Sequence, residues 1–188
     1  MKGISSILLT CFILFSSCSN DQVFKVSRDK LIVPGEGIGK TRLGMISDSV
    51  IRLLGKPDYS DAAMGKALLI WYGKNKDTNN NRTEVDVMVS YRDTSMRDKA
   101  VKQIRITSDY FETKNGVKVH DDLHRIMKYF PDISKSDYHL TDSTKAIYDD
   151  TVNGIAFEVA AVDTQRICTA ILVHAKNTPF VINYLAVP

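Results

Sequence analysis

The chain has 188 residues, with 25 Lys plus Arg against 22 Asp plus Glu and a formal net charge of +3. This near balance excludes the strong positive field that is typical of nucleic-acid-binding proteins, so we expect no nucleic-acid partner. The length is sufficient for one shared core or for two small lobes.

The first residues have the layout of a secretory signal. Lys2 is followed by an apolar run over residues 4–15 and by the small polar pair Ser16 and Ser17, in front of Cys18. A charged start, an apolar middle and small residues at the end are typical of a signal peptide. The apolar run is shorter than the roughly 20 residues that a helix needs to cross a bilayer. We therefore predict a cleaved signal peptide over residues 1–17.

The end of this segment resembles a bacterial lipobox, in which the cysteine becomes the first mature residue and carries acyl chains. We predict lipidation of Cys18 and a polar tether over residues 18–29. Several acyl chains on one residue would anchor a protein stably, since each buried methylene contributes about 0.8 kcal/mol. An ordinary signal cleaved nearby, with Cys18 unmodified, is the alternative. Ser19 after the cysteine resembles the pattern that sorts lipoproteins to the outer membrane, on its periplasmic or surface face.

After processing, Cys168 is the one cysteine left without a role, because Cys11 leaves with the signal and Cys18 is lipidated. No internal disulfide is therefore expected. Strand alternation would place Cys168 and His174 on the same side of one strand, with their backbones about 20 Å apart. This separation favours a buried thiol over a cysteine nucleophile paired with that histidine.

Two stretches of the remaining chain follow the same order of signals, which indicates internal repetition. In the first, GIGKTRLGM leads into DSVIRLLGKP, and then into ALLIWYG, EVDVMVSY and AVKQIRIT. In the second, NGVKV leads into DDLHRIMKYFP, and then into KAIYDD, GIAFEVA and RICTAILVHA. We predict one helix followed by three strands in each stretch. The first repeat would span residues 30–107, and the second would span 108–188 with an additional C-terminal strand.

Both helices are predicted from apolar residues that recur three and four positions apart. We expect Ser47 or Asp48 to cap the first helix, and Asp121 or Asp122 to cap the second. The apolar positions are Val50, Leu53 and Leu54 in the first helix, and Leu123, Ile126, Met127 and Phe130 in the second.

The strands are predicted from alternation between two faces. Val85, Val87 and Val89 fall on one face of a strand, while Asp86 and Met88 fall on the other. Each sheet would then have one face covered by its helix and one open face. The predicted fold class is α+β, with two tandem repeats of a helix plus an antiparallel sheet.

The first stretch resembles the signature of the small outer-membrane-assembly lipoproteins (SmpA/OmlA type) and of the β-lactamase inhibitor protein family. The resemblance covers residues 34–175. The second stretch departs from it, with Lys128 where the first has Gly55. The resemblance implies a tandem β-lactamase inhibitor protein-like fold, binding of a protein or envelope component through a sheet face, and no catalytic residues. The matching residues are Gly44, Leu53, Leu54, Gly55, Pro57, Trp71 and Tyr72.

The leading functional hypothesis is a membrane-anchored, non-catalytic protein-binding module that acts in envelope assembly or enzyme inhibition. Its partner would be an unidentified envelope or secreted protein, and no cofactor is expected. Large amphipathic side chains anchor partners when they are exposed. The candidate binding surface consists of Trp71, Tyr72, Met88, Arg105 and Tyr148.

Two sequence patterns keep alternatives open. PGEGIGKT, residues 34–41, approaches a phosphate-binding loop, but Pro34 stands where the first glycine belongs and offers no N–H. HDDLH, residues 120–124, approaches a zinc-binding H-E-x-x-H pattern, so His120 and His124 are weak candidate metal ligands, with no third ligand nearby. The alternative functions are therefore a metal-dependent envelope hydrolase that uses these two histidines, and a small-ligand carrier.

Overall fold

The computed structural model describes residues 26–76, 82–136 and 144–180, and this part of the chain is built mostly from β-strands. In chain order the elements are β1 (Leu31–Val33), β2 (Gly37–Ile38), β3 (Thr41–Arg42), α1 (Ser47–Leu54), β4 (Tyr59–Ala63), β5 (Lys66–Lys76), β6 (Arg82–Tyr91), β7 (Lys99–Ile106), β8 (Glu112–Thr113), α2 (Leu123–Tyr129), β9 (Ser134–Lys135), β10 (Lys145–Asp150), β11 (Ile155–Val162) and β12 (Gln165–His174).

Eight of these strands form one antiparallel sheet in the order β4-β5-β6-β7-β12-β11-β10-β9. The centre of the sheet is the pairing of β7 with β12, in which Ile106 lies opposite Ile171 and Ile104 opposite Val173. The other four strands form a small sheet in the order β3-β2-β1-β8, whose β1–β8 pair is parallel.

The main hydrophobic core lies between one face of the large sheet and a layer made by α1, α2 and the small sheet. We call this the helix face of the large sheet. Ile32 and Ile38 of the small sheet, Val50 of α1 and Ile126 of α2 are almost fully buried in this core. On the strands, alternate apolar residues turn toward the same core, as a period of two requires. They are Leu69, Trp71, Val87, Val89, Ile104, Ile106, Phe157, Val159, Ile171 and Val173.

The predicted fold class is wrong, because the molecule is not a pair of helix-plus-sheet repeats. The strands belong to one continuous eight-stranded sheet, with β7 and β12 paired in its middle. The two helices have eight and seven residues, so they are too short to cover such a sheet by themselves. The small sheet, which was not predicted, supplies the rest of the covering layer.

The predicted open face is also wrong for the middle of the sheet. Asp86 and Met88 alternate with the core valines as predicted, yet both are buried. Further along the same face, Leu172 and Ala156 form a second apolar cluster, against which Phe180 packs. This second face, opposite the helix face, is therefore not a bare surface at its centre.

Both predicted helices are present, but their N-termini differ. Asp122 caps α2 as predicted, since its side chain accepts a hydrogen bond from the N–H of Arg125. The N-cap of α1 is Ile46, and neither Ser47 nor Asp48 occupies that position. The backbone explains this difference, because Ile46 still forms a β-bridge to Ala100 and the helix begins directly after it. No helix within the described ranges is long and apolar enough to cross a membrane.

The pattern PGEGIGKT folds as tight β-turns and not as a phosphate-binding loop. Residues 34–41 connect β1 to β2 and β2 to β3, and no helix starts at Lys40. A Cβ on Gly37 would lie 2.2 Å from the carbonyl oxygen of Thr41, so this glycine serves the close approach of two strands. Strand, loop and helix do not occur here in the order that nucleotide binding requires.

Candidate functional site

The strand β4 forms one edge of the large sheet and is exposed along its whole length. It pairs with β5 on one side, and no strand in the described part of the chain pairs with its other side. All five of its residues, YSDAA, are exposed. Edge strands are usually protected by lysine, proline or a bulge, because an unpaired edge can bind another chain. Within β4 there is no lysine, proline or bulge, and Asp61 is its one charged residue.

The turn that follows β4 determines which backbone groups point outward. Met64 and Gly65 have φ values of 50° and 78° and form a two-residue turn, which is closed by the pair Ala63 and Lys66. The residues of such a closing pair are hydrogen-bonded to each other, and bonded and non-bonded pairs then alternate along the hairpin. Asp61 therefore bonds to β5, whereas the N–H and C=O groups of Ser60 and Ala62 point away from the sheet.

The C-terminal end of α1 lies beside this edge. The indole N–H of Trp71, on β5, donates a 3.0 Å hydrogen bond to the carbonyl oxygen of Gly55, the C-cap of α1. At the adjacent pair of the sheet, Ile70 lies opposite Tyr59 of β4. Leu53 and Leu54 are 41% and 37% exposed, although they end an amphipathic helix. We name β4 together with Leu53, Leu54 and Met64 the free-edge surface.

Apolar side chains make up much of the free-edge surface. Met64, at the tip of the turn, is 99% exposed, and Tyr59 is 38% exposed. The ring of Tyr91 lies against the same turn, where a Cβ on Gly65 would come within 2.6 Å of it. Exposed apolar side chains beside an unpaired strand edge are a feature of many protein interaction sites.

A cluster of charged side chains, which we name the Arg105 cluster, lies on the second face of the sheet. Arg105 on β7 contacts three carboxylates: Asp86 at 2.8 Å, Glu158 at 3.2 Å and Glu84 at 3.4 Å. Glu158 also accepts a 2.9 Å contact from the ammonium group of Lys145. The cluster connects β6, β7, β11 and β10 across the centre of the sheet. Oδ1 of Asp86 and Nε of Arg105 are buried and have no hydrogen-bond partner among the described residues.

Burial and charge shift the pKa values within the Arg105 cluster in different directions. Burial raises the pKa of Asp86 from 3.8 to about 6, although Arg105 acts against this shift. Burial alone would also raise the pKa of Glu158. The charges of Arg105 and Lys145 outweigh this effect and lower the pKa of that carboxyl group. For Arg105, burial alone would lower the pKa, and the carboxylates of Glu158 and Asp86 raise it instead.

The structure separates the five residues of the predicted binding surface. Tyr72, Met88 and Arg105 lie on the second face, where Met88 is buried and Arg105 is held by its carboxylates. Trp71 and Tyr148 lie on the helix face, where Trp71 is 9% exposed and Tyr148 packs against the main core. The free-edge surface shares none of these residues. Its signal in the sequence was the polar and small segment YSDAA, which the strand pattern did not detect.

His120 and His124 line the same surface cleft, of about 590 Å³, together with Met127 and Arg166. The neighbouring Asp121 is already engaged, because its carboxylate accepts hydrogen bonds from the N–H of Lys118 and from Nε of Arg125. Within residues 26–76, 82–136 and 144–180, no group of three or more His, Cys, Asp or Glu is arranged to hold a metal ion.

Cys168 and His174 lie on opposite faces of β12, contrary to the prediction from alternation. A β-bulge between Glu158 and Val159 shifts the register of β11 against β12, so that Cys168 joins Ile171 in the main core. Burial raises the pKa of the Cys168 thiol, which keeps the sulfur protonated and unreactive. His174 is buried on the second face and lies 2.9 Å from Asp149.

Comparisons with known proteins add one distant structural likeness. No family model matches the sequence, and no curated protein matches it. Among solved structures, the chain is similar to the crystal structure of the uncharacterized protein yfeY from Escherichia coli. The identity is 11%, the match covers 76% of this chain and 98% of that chain, and the TM-score is 0.43.

Proposed function

We propose that this protein is an exported bacterial lipoprotein, anchored through Cys18, whose folded body is a non-catalytic protein-binding module. The observation that supports the binding role is the free-edge surface, where a fully exposed edge strand lies beside exposed leucines. Such an edge offers backbone donors and acceptors to a second chain. The proposed location is the bacterial outer membrane.

The nature of the partner is proposed from the sequence resemblance of residues 34–175 to outer-membrane-assembly lipoproteins and β-lactamase inhibitor proteins. It favours an envelope or secreted protein as the partner, with a role in assembly or inhibition. A metal-dependent hydrolase would need a third ligand beside His120 and His124. The two carboxylates of the same cleft already accept hydrogen bonds, Asp121 from Nε of Arg125 and Asp122 from the backbone N–H of Arg125.

The anchor is tested by comparing the full-length chain with its Cys18→Ser variant, both expressed in a bacterial host. The native chain should incorporate radiolabelled palmitate and partition into the detergent phase, because acyl chains bind membranes strongly. The variant should remain unlabelled and enter the aqueous phase. Equal labelling and partitioning of the two proteins would show that Cys18 carries no lipid.

The binding role is tested by photo-crosslinking in the same cells. A photoreactive phenylalanine at Ser60 should form a covalent adduct with a defined partner, and an otherwise identical chain with that residue at Lys135 is the control. Lys135 lies on β9, at the opposite edge of the sheet. A third chain carries the probe at His124, in the cleft lined by His120 and Met127. Absence of a defined adduct from all three positions would argue against a protein-binding module.

A further inference from the structure

The backbone of the free-edge surface fits an extended strand. Ser60 and Ala62 direct two N–H and two C=O groups outward, as the alternation from the pair Ala63 and Lys66 requires. An incoming strand that pairs with both residues would form four backbone hydrogen bonds. A helix cannot pair with these groups, because its own backbone donors and acceptors are already bonded.

The side chains of β4 alternate between the two faces of the sheet, so an incoming strand would meet different side chains on each face. Asp61 is the one charged residue of β4, and it lies opposite Leu68 on the second face of the sheet. A basic residue opposite Asp61 would form a favourable cross-strand pair, whereas an acidic residue would be repelled.

On the helix face, β4 presents small side chains. Ser60 lies opposite Leu69, a residue of the main core, so Ser60 and Ala62 point to the side on which α1 packs. Both side chains are small, and Leu53 and Leu54 at the end of α1 are exposed. We expect apolar side chains of a partner, at positions opposite Ser60 and Ala62, to extend over this side toward these leucines.

We propose that the free-edge surface binds an extended strand of another protein, with a basic residue opposite Asp61 and apolar residues opposite Ser60 and Ala62. This inference rests on the proposed binding function and specifies the partner's recognition element. The bound strand becomes a ninth strand of the large sheet, next to β4.

A second copy of this chain fits the same edge less well. Antiparallel pairing of β4 with β4 of another copy is complete when the strands are centred on each other, and this places Asp61 directly opposite its equivalent. Like charges in directly opposed positions destabilise a strand pair. A shift of two residues separates the carboxylates but leaves part of each strand unpaired.

The test uses the chain from Cys18 onward with Cys18→Ser, and two fluorescent hairpin peptides closed by a disulfide. Their recognition strands are Thr-Val-Lys-Val-Thr and Thr-Val-Glu-Val-Thr. Fluorescence anisotropy should show that the lysine peptide binds about fivefold more tightly, which corresponds to about 1 kcal/mol between a favourable and an unfavourable cross-strand pair. Asp61→Lys should reverse this preference.

Proline variants test the backbone pairing. Ala62→Pro removes one outward N–H and should abolish binding of the lysine peptide, while the fold is retained because edge strands tolerate proline at such positions. Lys135→Pro is the matched control, since the bond from Ser136 N–H to Ile147 oxygen directs the Lys135 N–H outward at the opposite edge. Circular dichroism verifies the fold of both variants.

Three outcomes would overturn the inference. They are equal binding of the two peptides, including no binding of either; binding that survives Ala62→Pro; and a dimer in sedimentation that Ala62→Pro dissociates, which would identify a second copy as the occupant. These outcomes leave the proposed function standing if a partner is crosslinked elsewhere. Failure of the Cys18 and crosslinking experiments, with normal peptide selectivity, would overturn the proposed function and not the recognition of a strand.

Discussion

Asp86 and Glu158 bind the same guanidinium group, that of Arg105, yet the pKa of Asp86 is raised and the pKa of Glu158 is lowered. The two carboxylates differ in their other partners. Glu158 also accepts from Lys145 and from the hydroxyl group of Thr169, whereas one oxygen of Asp86 has no partner within the part of the chain that the structure describes. A buried carboxylate with unsatisfied lone pairs is costly to ionise. Asp86 is therefore the residue of the Arg105 cluster whose ionisation destabilises the fold.

Asp86 makes the stability of the protein depend on pH in the range between about 4 and 6. Because its pKa is about 6 in the folded protein and near 3.8 otherwise, its contribution to stability is complete below pH 3.8 and is lost as the pH rises through 6. Asp86→Asn should remove this dependence. Relative to the native chain, the variant should gain up to about 3 kcal/mol between pH 4 and pH 7, since one pKa unit corresponds to about 1.4 kcal/mol.

Urea unfolding at a series of pH values measures this difference directly. Glu158 does not interfere above pH 4.5, because its lowered pKa confines its loss of stability to lower pH values, and below pH 4.5 it acts equally in both proteins. Parallel curves of unfolding free energy against pH for the two proteins would show that Asp86 is not the responsible group.

Removal of Arg105 should be much more damaging than removal of an exposed arginine. Arg105→Met leaves Asp86 and Glu158 buried with less compensation, which costs about 3–5 kcal/mol. Arg105→Lys should be intermediate, because one ammonium group cannot bridge carboxylates as a planar guanidinium group does. Arg52→Ala is the control, since Arg52 is exposed and its side chain hydrogen-bonds to Ser49, in its own helix. Chemical denaturation should show a change within about 0.5 kcal/mol for this control, and a similarly small effect of Arg105→Met would contradict the account.

Trp71 should hold the end of α1 beside the free edge. Trp71→Phe removes the hydrogen bond to Gly55 and some core volume, at a cost of about 2 kcal/mol. Hydrogen exchange at residues 51–55 should become faster in this variant and remain unchanged in Tyr72→Phe, which retains its ring at the neighbouring position. Unchanged exchange in both variants would mean that the indole does not position the helix.

Cys168 should be unreactive in the native protein. In a chain with Cys18→Ser that lacks the signal peptide, Cys168 is the remaining thiol, and its burial prevents access as well as ionisation. Ellman's reagent should detect no thiol in native buffer and one per chain in concentrated urea. Rapid modification of the native protein would contradict the position of Cys168 in the main core.

The sequence predicted elements correctly where the spacing of apolar residues fits one type of secondary structure. The spacing of apolar residues around Val50 and around Ile126 predicted both helices, and the alternation of Val85, Val87 and Val89 predicted the strand that is β6. The arrangement of the strands could not be predicted, because the pairing of β7 with β12 joins segments about 70 residues apart through side chains that suit any buried strand. Local patterns carry no information about such long-range pairing.

The candidate site was missed for a related reason. The segment YSDAA has neither a long apolar alternation nor a turn signal of its own, and it is a strand because β5 pairs with it. The predicted aromatic anchors, by contrast, were chosen by residue type. Trp71 has the large amphipathic ring that the prediction required, but this ring is directed into the main core and its N–H bonds to Gly55. Whether an aromatic side chain is exposed depends on how the sheet is assembled. The local sequence around that residue does not determine this.

The most direct test of strand recognition is amide hydrogen exchange of β4 by NMR, with and without the lysine hairpin peptide. In the free protein, the N–H groups of Ser60 and Ala62 should exchange rapidly, whereas that of Asp61 should be protected by β5. Addition of the peptide should slow exchange at Ser60 and Ala62 at least tenfold, without a comparable change at Lys135. Rapid exchange at Ser60 and Ala62 in the saturated complex would contradict the claim that the partner adds a strand at this edge.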